Sequence, residues 1–202
     1  VCEHARMSRT TILVLVTFGA VLAGLALSTN ARRLSEDEPR LPQQVAAGPQ
    51  RATLGWRETY GPAHEQLVFT VETLEILPGG WRARVGLENG TSISYEVARP
   101  TATPNRTFGL MLFTTGEHAE MDEQNANGTL PPIRPAVEIE PRPPRILEPG
   151  ASWTGTISAP GALVANSWVR VVFGALVSVG TPPDDLSEIV VWITDNTYRL
   201  RP

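Results

Sequence analysis

Lysine is absent from this 202-residue chain, so all 17 of its basic residues are arginines. Exposed sites accept either cation. The absence therefore reads as codon usage in a GC-rich bacterial genome, not as a demand for guanidinium forks at every position. Cysteine occurs once, at Cys2, which excludes an internal disulfide. Zinc sites are usually assembled from several His and Cys ligands. Beyond the N-terminal region only His64 and His118 are available, so no metal site is expected. Positive charge is not in excess, since the formal net charge is −4, and no nucleic-acid partner is expected. No glycine-rich phosphate loop leads from a strand into a helix. No serine or cysteine near His64 sits in a nucleophile elbow. The sequence thus assigns no catalytic residues, no cofactor-binding residues and no metal ligands.

What is present is glycine (17) and proline (18), which favour many turns and short strands over long helices. The length suits one domain with appendages, enough to bury a full core.

The first appendage is TILVLVTFGAVLAGLAL, Thr11–Leu27. No charge falls between Thr10 and Ala31, with Arg6 and Arg9 before that stretch and Arg32 and Arg33 after it. As a helix those residues would span roughly 33 Å, about the hydrocarbon thickness of a bilayer. A signal-peptide core is usually shorter, about 7–15 residues. The expectation is a single-pass membrane anchor over residues 11–27 with Arg6 and Arg9 on the cytoplasmic side. A cleaved signal peptide, cut after Ser28 or Ala31, is the alternative. Cys2 precedes the apolar run and so cannot be a lipoprotein cysteine. Met7 opens a short basic segment typical of a start, which leaves Val1 or Met7 as the first residue. The small-residue spacing of Gly19 with Ala23 and Ala20 with Gly24 would let two such helices pack, but it is common as mere composition.

Residues 1–31 are accordingly read as the signal or transmembrane segment and 32–51 as a flexible linker. Within the linker, Leu34–Gln50 is polar, rich in Pro and Gln, and aperiodic. The folded domain is expected over 52–202. WRARVGLE (Trp81–Glu88) alternates with period two. Trp81, Ala83, Val85 and Leu87 point one way and Arg82, Arg84 and Glu88 the other, which predicts a half-buried strand. Asn89-Gly90 follows, then Thr91–Val97 with Ile93, Tyr95 and Val97 in phase. Asn-Gly between alternating runs predicts a hairpin. Leu67, Phe69 and Val71 alternate, and then Leu74 and Ile76 take the opposite parity, which predicts a bulge near Glu72. Further strands are expected at Phe108–Thr115, around Trp153–Ile157 after the turn Glu148-Pro149-Gly150, at Val169–Val179 and at Glu188–Thr194. About seven strands without an amphipathic helix predict a two-sheet β-sandwich. Pro182-Pro183-Asp184-Asp185 reads as a turn between the last two strands.

Two connections stand out. Gly116–Leu130 is acidic and polar and is read as a solvated loop. Pro131–Pro149 holds seven prolines and should run extended along a sheet edge. Glu117, His118, Glu120, Asp122 and Glu123 cluster in sequence. EQNANG (Glu123–Gly128) matches the start of a calcium loop, but Arg134 stands where the bidentate glutamate belongs. Asp184, Asp185 and Asp195 are carboxylates whose pairing the sequence leaves open. The sequons at Asn89, Asn105 and Asn127 fall in predicted turns and read as chance. Trp81 and Trp153 share parity with core-facing neighbours. For Trp192, flanked by Val191 and Ile193, either both faces of its strand are covered or Trp192 and Val190 form an exposed patch.

The order of pieces V-G-L-E-N-G-T-S (Val85–Ser92), the strand at Phe108, L-E-P-G (Leu147–Gly150) and W-T-G-T-I-S-A-P (Trp153–Pro160) resembles the telokin-like, immunoglobulin-like domains of bacterial exported and membrane-anchored proteins of unknown function. The resemblance covers roughly Gln66–Phe173. It implies export, an immunoglobulin-like two-sheet sandwich and no catalysis. It also implies that Asn-Gly-Thr-Ser ends one core strand and that the Pro-Gly turn leads into a strand of the other sheet. The proline-rich insert and the final segment, Ile189–Leu200, depart from the family. The small secreted protease-inhibitor sandwich of bacilli is a second resemblance, but no reactive loop is identifiable.

The functional expectation is a membrane-anchored extracytoplasmic binding or structural module, not an enzyme, with a protein partner at the bacterial cell envelope. The alternative is a secreted enzyme inhibitor, or an enzyme, with its site in the 116–149 loops.

Overall fold

Alternating polar and apolar residues from Gln50 onward build two antiparallel sheets that pack face to face as a β-sandwich. The computed structural model describes residues 44–97, 107–183 and 185–202. The expected anchor at 11–27, most of the linker, the Asn105 sequon and Asp184 lie outside these. The strands are β1 (Gln50–Tyr60), β2 (Gln66–Leu77), β3 (Gly80–Gly90), β4 (Tyr95–Val97), β5 (Gly109–Phe113), β6 (Arg134–Pro135), β7 (Glu138–Glu140), β8 (Ile146–Leu147), β9 (Ser152–Pro160), β10 (Trp168–Ser178), β11 (Ile189–Ile193) and β12 (Tyr198–Arg199); one helix, α1 (His118–Ala126), lies between β5 and β6.

The first sheet runs β1-β2-β3-β9-β7. The second is built around β10, with β5 and β6 in one direction and β4 and β8 in another, and with β11 and β12 also pairing β10. Val172 pairs with both Gly109 of β5 and Ile193 of β11, so β5 and β11 flank β10 on opposite sides. By the same reasoning at Leu176, β4 and β11 flank it on opposite sides, and β11 is an edge strand.

The parity switch in β2 is a bulge. Val71 pairs with Val85 and Thr73 with Arg84, which leaves Glu72 unmatched. On its other side, β1 slips between Thr53 and Trp56, where Gly55 takes φ +61°. The bulge keeps Leu67, Phe69 and Val71 on the same buried face as Leu74 and Ile76. The solvent face of this sheet carries a row in which Glu75 meets both Arg51, at 2.8 Å, and Arg82. The Arg82 guanidinium holds the Glu75 carboxyl below its ordinary range. Trp81 and Trp153 are buried as their parity implied, and the Trp153 ring covers Gly155 so closely that a Cβ there would lie 2.3 Å from Cζ2. Phe69, Phe108 and Phe173 meet edge-on in the centre, with Phe69 and Phe108 each against Phe173.

The Asn89-Gly90 hairpin is not formed. β3 pairs with β2 and β9, whereas β4 lies in the opposite sheet between β10 and β8. The chain crosses between sheets here, and the buried Asn89 side chain organises the crossing. Its Nδ2 donates to the carbonyls of Ile93 (2.7 Å) and Leu147 (2.8 Å), and its Oδ1 accepts from the N–H (3.0 Å) and hydroxyl (2.7 Å) of Thr91. Its backbone holds the Glu148–Ala151 turn, with the Asn89 N–H donating to Ala151 O and its carbonyl accepting from Gly150. That turn has Pro149 second and Gly150 third at φ +73°, the requirement of a type II turn. The strand that follows, β9, pairs with β3 itself. It therefore does not rebuild the other sheet, as the resemblance implied.

The proline-rich insert runs extended, as expected, and serves three edges in turn. β6 pairs with β5, β7 with β9, and β8 with β4. Residues 116–130, expected as a loop, contain α1. Its end is a Schellman motif: Thr129 N–H donates to Gln124 O, Gly128 N–H donates to Asn125 O, and Gly128 has φ +67°. Met121 packs with Met111, Phe113 and Val172, so α1 covers the outer face of β5 and β10 and both faces of β10 are buried. The end of the expected linker is bonded to the domain. Ala46 bridges Val164, Ala47 N–H donates to Leu163 O, and Gln50 and Arg51 open β1.

Asn89→Ala removes four side-chain bonds and strands two buried carbonyls, so it should cost about 2–4 kcal/mol. Asn127→Ala, at the exposed end of α1, should cost about 0.5 kcal/mol or less. Urea denaturation of both variants beside the parent chain checks this; equal midpoints for the two would refute the role assigned to Asn89.

Candidate functional site

The densest polar constellation lies where α1, β1 and the 194–196 segment after β11 meet. Two residues 134 positions apart begin it: Glu58 on β1 and Trp192 on β11. Glu58 is 9% exposed and spends both oxygens on donors. Oε2 accepts from Trp192 Nε1 (2.7 Å) and Asp195 N–H (3.0 Å), and Oε1 accepts from Asn196 N–H (2.9 Å) and Nδ2 (2.8 Å). Trp192 stacks on Phe69 at 5.1 Å between ring centres and packs against the core. Trp192 and Val190 therefore form no exposed patch. The outward residues of β11 are Ile189 and Val191, because β1 and β2 cover the inner face.

On the other side of the segment, Arg170 of β10 is fully buried. Its Nη1 donates to the carbonyls of Thr194 (2.7 Å) and Asp195. The Phe113 ring lies 5.4 Å from its guanidinium carbon. Nε and Nη2 have no hydrogen-bond partner among the described residues. Burial pushes the guanidinium below the ordinary arginine value against the pull of Asp195, Glu58 and Asp122, and an arginine so placed remains a cation.

His118, in the first turn of α1, completes the cluster. Its Nδ1 lies 2.9 Å from Asp122 Oδ2, one helical turn on, and its Nε2 lies 2.9 Å from Asp195 Oδ1. The bond to Asp195 raises the His118 pKa above its ordinary value, with Asp122 adding to the effect against partial burial. Both ring nitrogens are engaged by carboxylates, so neither is free to take a proton from a substrate hydroxyl. The constellation is suited to tethering α1 to the end of β11.

The other acidic residues of α1 do not join it. Glu120 and Glu123 line an open depression of about 490 Å³ together with Ala119, Gln124, Asn127 and Thr129. Glu120 also accepts from Thr115 and Gln124. Glu117 and Asp122 lie outside the depression, so the cluster seen in the sequence does not converge on one point. Among the described residues, no group of three or more His, Cys, Asp or Glu is arranged to hold a metal ion. Asp195 pairs with His118 and not with a second carboxylate, and Pro183 O accepts from Leu186 N–H in the expected turn. Of the sequons, Asn89 is buried and Asn127 exposed. Sequence reasoning weighed His118 and Asp195 separately and missed Glu58 and Arg170. The one local hint was an arginine on the strongly apolar β10, a residue type rarely buried without partners.

Two outcomes follow from this geometry. Glu58→Gln replaces an acceptor oxygen with a donor that must face an N–H, and should lower unfolding stability by about 1–3 kcal/mol, read as a lower urea midpoint. A histidine whose folded pKa is raised stabilises fully below its unfolded value, about 6.5, and loses that contribution as pH rises through the folded value. The His118 side chain is half exposed, so solvent screening keeps the effect to about 1 kcal/mol or less. The gap in Tm between the parent and His118→Gln should therefore be widest near pH 6 and close by pH 9; a gap independent of pH would refute the ion-pair role.

Comparison with known proteins returns no match at any level: no family model, no curated protein and no solved structure.

Proposed function

We propose that this chain is a membrane-anchored, extracytoplasmic binding or structural module whose β-sandwich is immunoglobulin-like and related to the telokin-like domains of exported bacterial proteins. The observation that carries the reading is the uncharged run Thr10–Ala31 between arginine pairs, followed by a polar Pro- and Gln-rich stretch and then a sandwich. Such an order suits a domain held off a bilayer by a short tether. Among the described residues no helix is long and apolar enough to cross a membrane, and residues 11–27 lie outside them.

The use of the polar groups supports a non-catalytic role. His118 gives both nitrogens to carboxylates, Glu58 gives both oxygens to donors, and Asn89 is spent on backbone. These groups serve packing of the domain, and the partner of such a module is a protein of the cell envelope. Export is consistent with the lack of any need for a disulfide, because the core is apolar and continuous.

Intact mass of the chain from washed membranes and from culture medium tests the anchor. The expected result is a membrane-bound chain that retains residues 11–27 and resists an alkaline carbonate wash. Recovery mainly from the medium, beginning after Ser28 or Ala31, would replace the anchor with a cleaved signal and favour the secreted alternative.

A further inference from the structure

Sheet edges invite strand addition, and proteins guard them with charges, prolines, bulges or brevity. Nearly every edge of this sandwich carries such a guard. β1 has Arg51 and Arg57 exposed and a bulge at Gly55. β7 alternates Glu138 and Glu140 and is followed by Pro141, and β6 is two residues that include Pro135. β8 and β12 are two residues each.

β11 has no guard. Its sequence is IVVWI, without charge, proline or glycine. Its register with β10, Phe173 opposite Trp192 and Leu176 opposite Val190, is continued by Thr194 N–H donating to Val171 O and Ser178 N–H donating to Glu188 O. Residues 188, 190, 192 and 194 thus turn their backbone groups toward β10. With period two, the N–H and C=O groups of Ile189, Val191 and Ile193 point away from the sheet, and none has a backbone partner among the described residues. Ile189 and Val191 are also 43% and 38% exposed.

We infer that the outer edge of β11 is a pairing surface for a second copy of this chain, joined by antiparallel β11–β11 addition centred on Val191. The pattern about that centre is self-complementary. Val191 falls opposite its own counterpart and Ile189 opposite Ile193, which shares their face of the strand but is partly buried against the Met111, Phe113, Met121 and Val172 cluster, so exposed apolar side chains meet at the centre and the pleat continues. The flanking acids avoid one another in this register: Glu188 faces Thr194 and Asp195 faces Ser187, so no like-charge pair arises. A one-residue slip would put outward-facing side chains opposite core-facing ones. The bonds from Glu58 and Arg170 to residues 194–196 hold the end of the strand in place before a partner arrives. The edge is thus preorganised, which lowers the ordering cost of association.

The test uses the full chain in mild detergent, with Cys2→Ser and one new cysteine at a time. Across a hydrogen-bonded antiparallel pair the two Cα atoms at residue 191 would lie about 5.5 Å apart, within disulfide range. Val191→Cys should give a disulfide-linked dimer at least tenfold faster under mild oxidation than Ile189→Cys, whose two copies would stand about 14 Å apart. Val179→Cys, exposed at the end of β10, gives the rate of random collision. Val191→Lys, with an unchanged circular dichroism spectrum, should convert a two-chain mass to a one-chain mass. Crosslinking of Val191→Cys no faster than that of Val179→Cys overturns the proposal. A parent chain of one-chain mass, or an unchanged two-chain mass in Val191→Lys, does the same. Crosslinking of Val191→Cys to a different protein in whole membranes, without chain-to-chain product, would assign the edge to another partner and overturn the second-copy reading. The contrast in crosslinking rate between Val191→Cys and Val179→Cys does not depend on whether residues 11–27 are retained.

Discussion

Asn89 sets the geometry on which the rest of the sandwich depends. A chain that leaves one sheet for another must abandon ladder bonding for several residues, and its backbone groups still need partners in a dry interior. One amide side chain solves this by acting as donor and acceptor at once. It fastens the crossing segment at Thr91 and Ile93 and reaches Leu147 in β8, 58 residues later. Its backbone grips the turn that launches β9. β3, the crossover, β8 and β9 are thereby placed around a single residue. Aspartate could not substitute, because a carboxylate has no donor for the two carbonyls and would bury a charge.

The second organising fact is that β10 is covered on both faces. Its inner side chains meet Phe69 and Phe108, and its outer ones lie under α1. Arg170 is the one charged residue in that strand. Its Nη1 satisfies the carbonyls of Thr194 and Asp195, and its guanidinium lies beside the Phe113 ring. Glu58 approaches the same short segment from the first sheet and accepts from the N–H groups of Asp195 and Asn196. One cation collects the carbonyls and one anion collects the amides. The two opposite charges thus engage four backbone groups of the 194–196 turn, and the remaining two are met by Val171 O and the Thr194 hydroxyl.

How much of this was legible follows from the range of each interaction. The bulge at Glu72 was readable because parity is a local property of the chain, and the buried Trp81 and Trp153 followed from the same periodicity. Asn89-Gly90 misled because the pair satisfies a local turn rule, while the partners that carry it across the sheets, Leu147 and Ala151, lie far along the sequence. The helix at His118–Ala126 was missed because only Met121 of its nine residues is buried, so it carries almost no apolar stripe. Its true signature was at its end, where Asn127-Gly128 forms a left-handed cap that had been read as part of a failed calcium loop. For Trp192 the difficulty was different. Every residue of β11 is apolar, so alternation holds no information about which side faces in. The inward side is chosen by Glu58 and Phe69, on β1 and β2, which no window around Trp192 contains. The bond between His118 and Asp195, 77 residues apart, was hidden for the same reason.

The uniform apolarity that hid the facing of β11 is also the unusual feature of the finished fold. A buried central strand needs apolar residues on both faces, as β10 shows. An edge strand with one face in solvent does not, and polar residues at positions 189 and 191 would cost the core nothing. Single exposed aliphatics require no explanation. Here two of them alternate on one strand whose outward backbone groups have no backbone partner among the described residues, while the other edges are short or carry proline, charge or a bulge. The guards against strand pairing that surround this sandwich therefore leave one edge open. That open edge is also the one whose end is clamped by Glu58, Arg170 and, through Asp195, His118. A strand left open but held rigid has the form of an interface, since looseness would be the cheaper way to leave an edge unused.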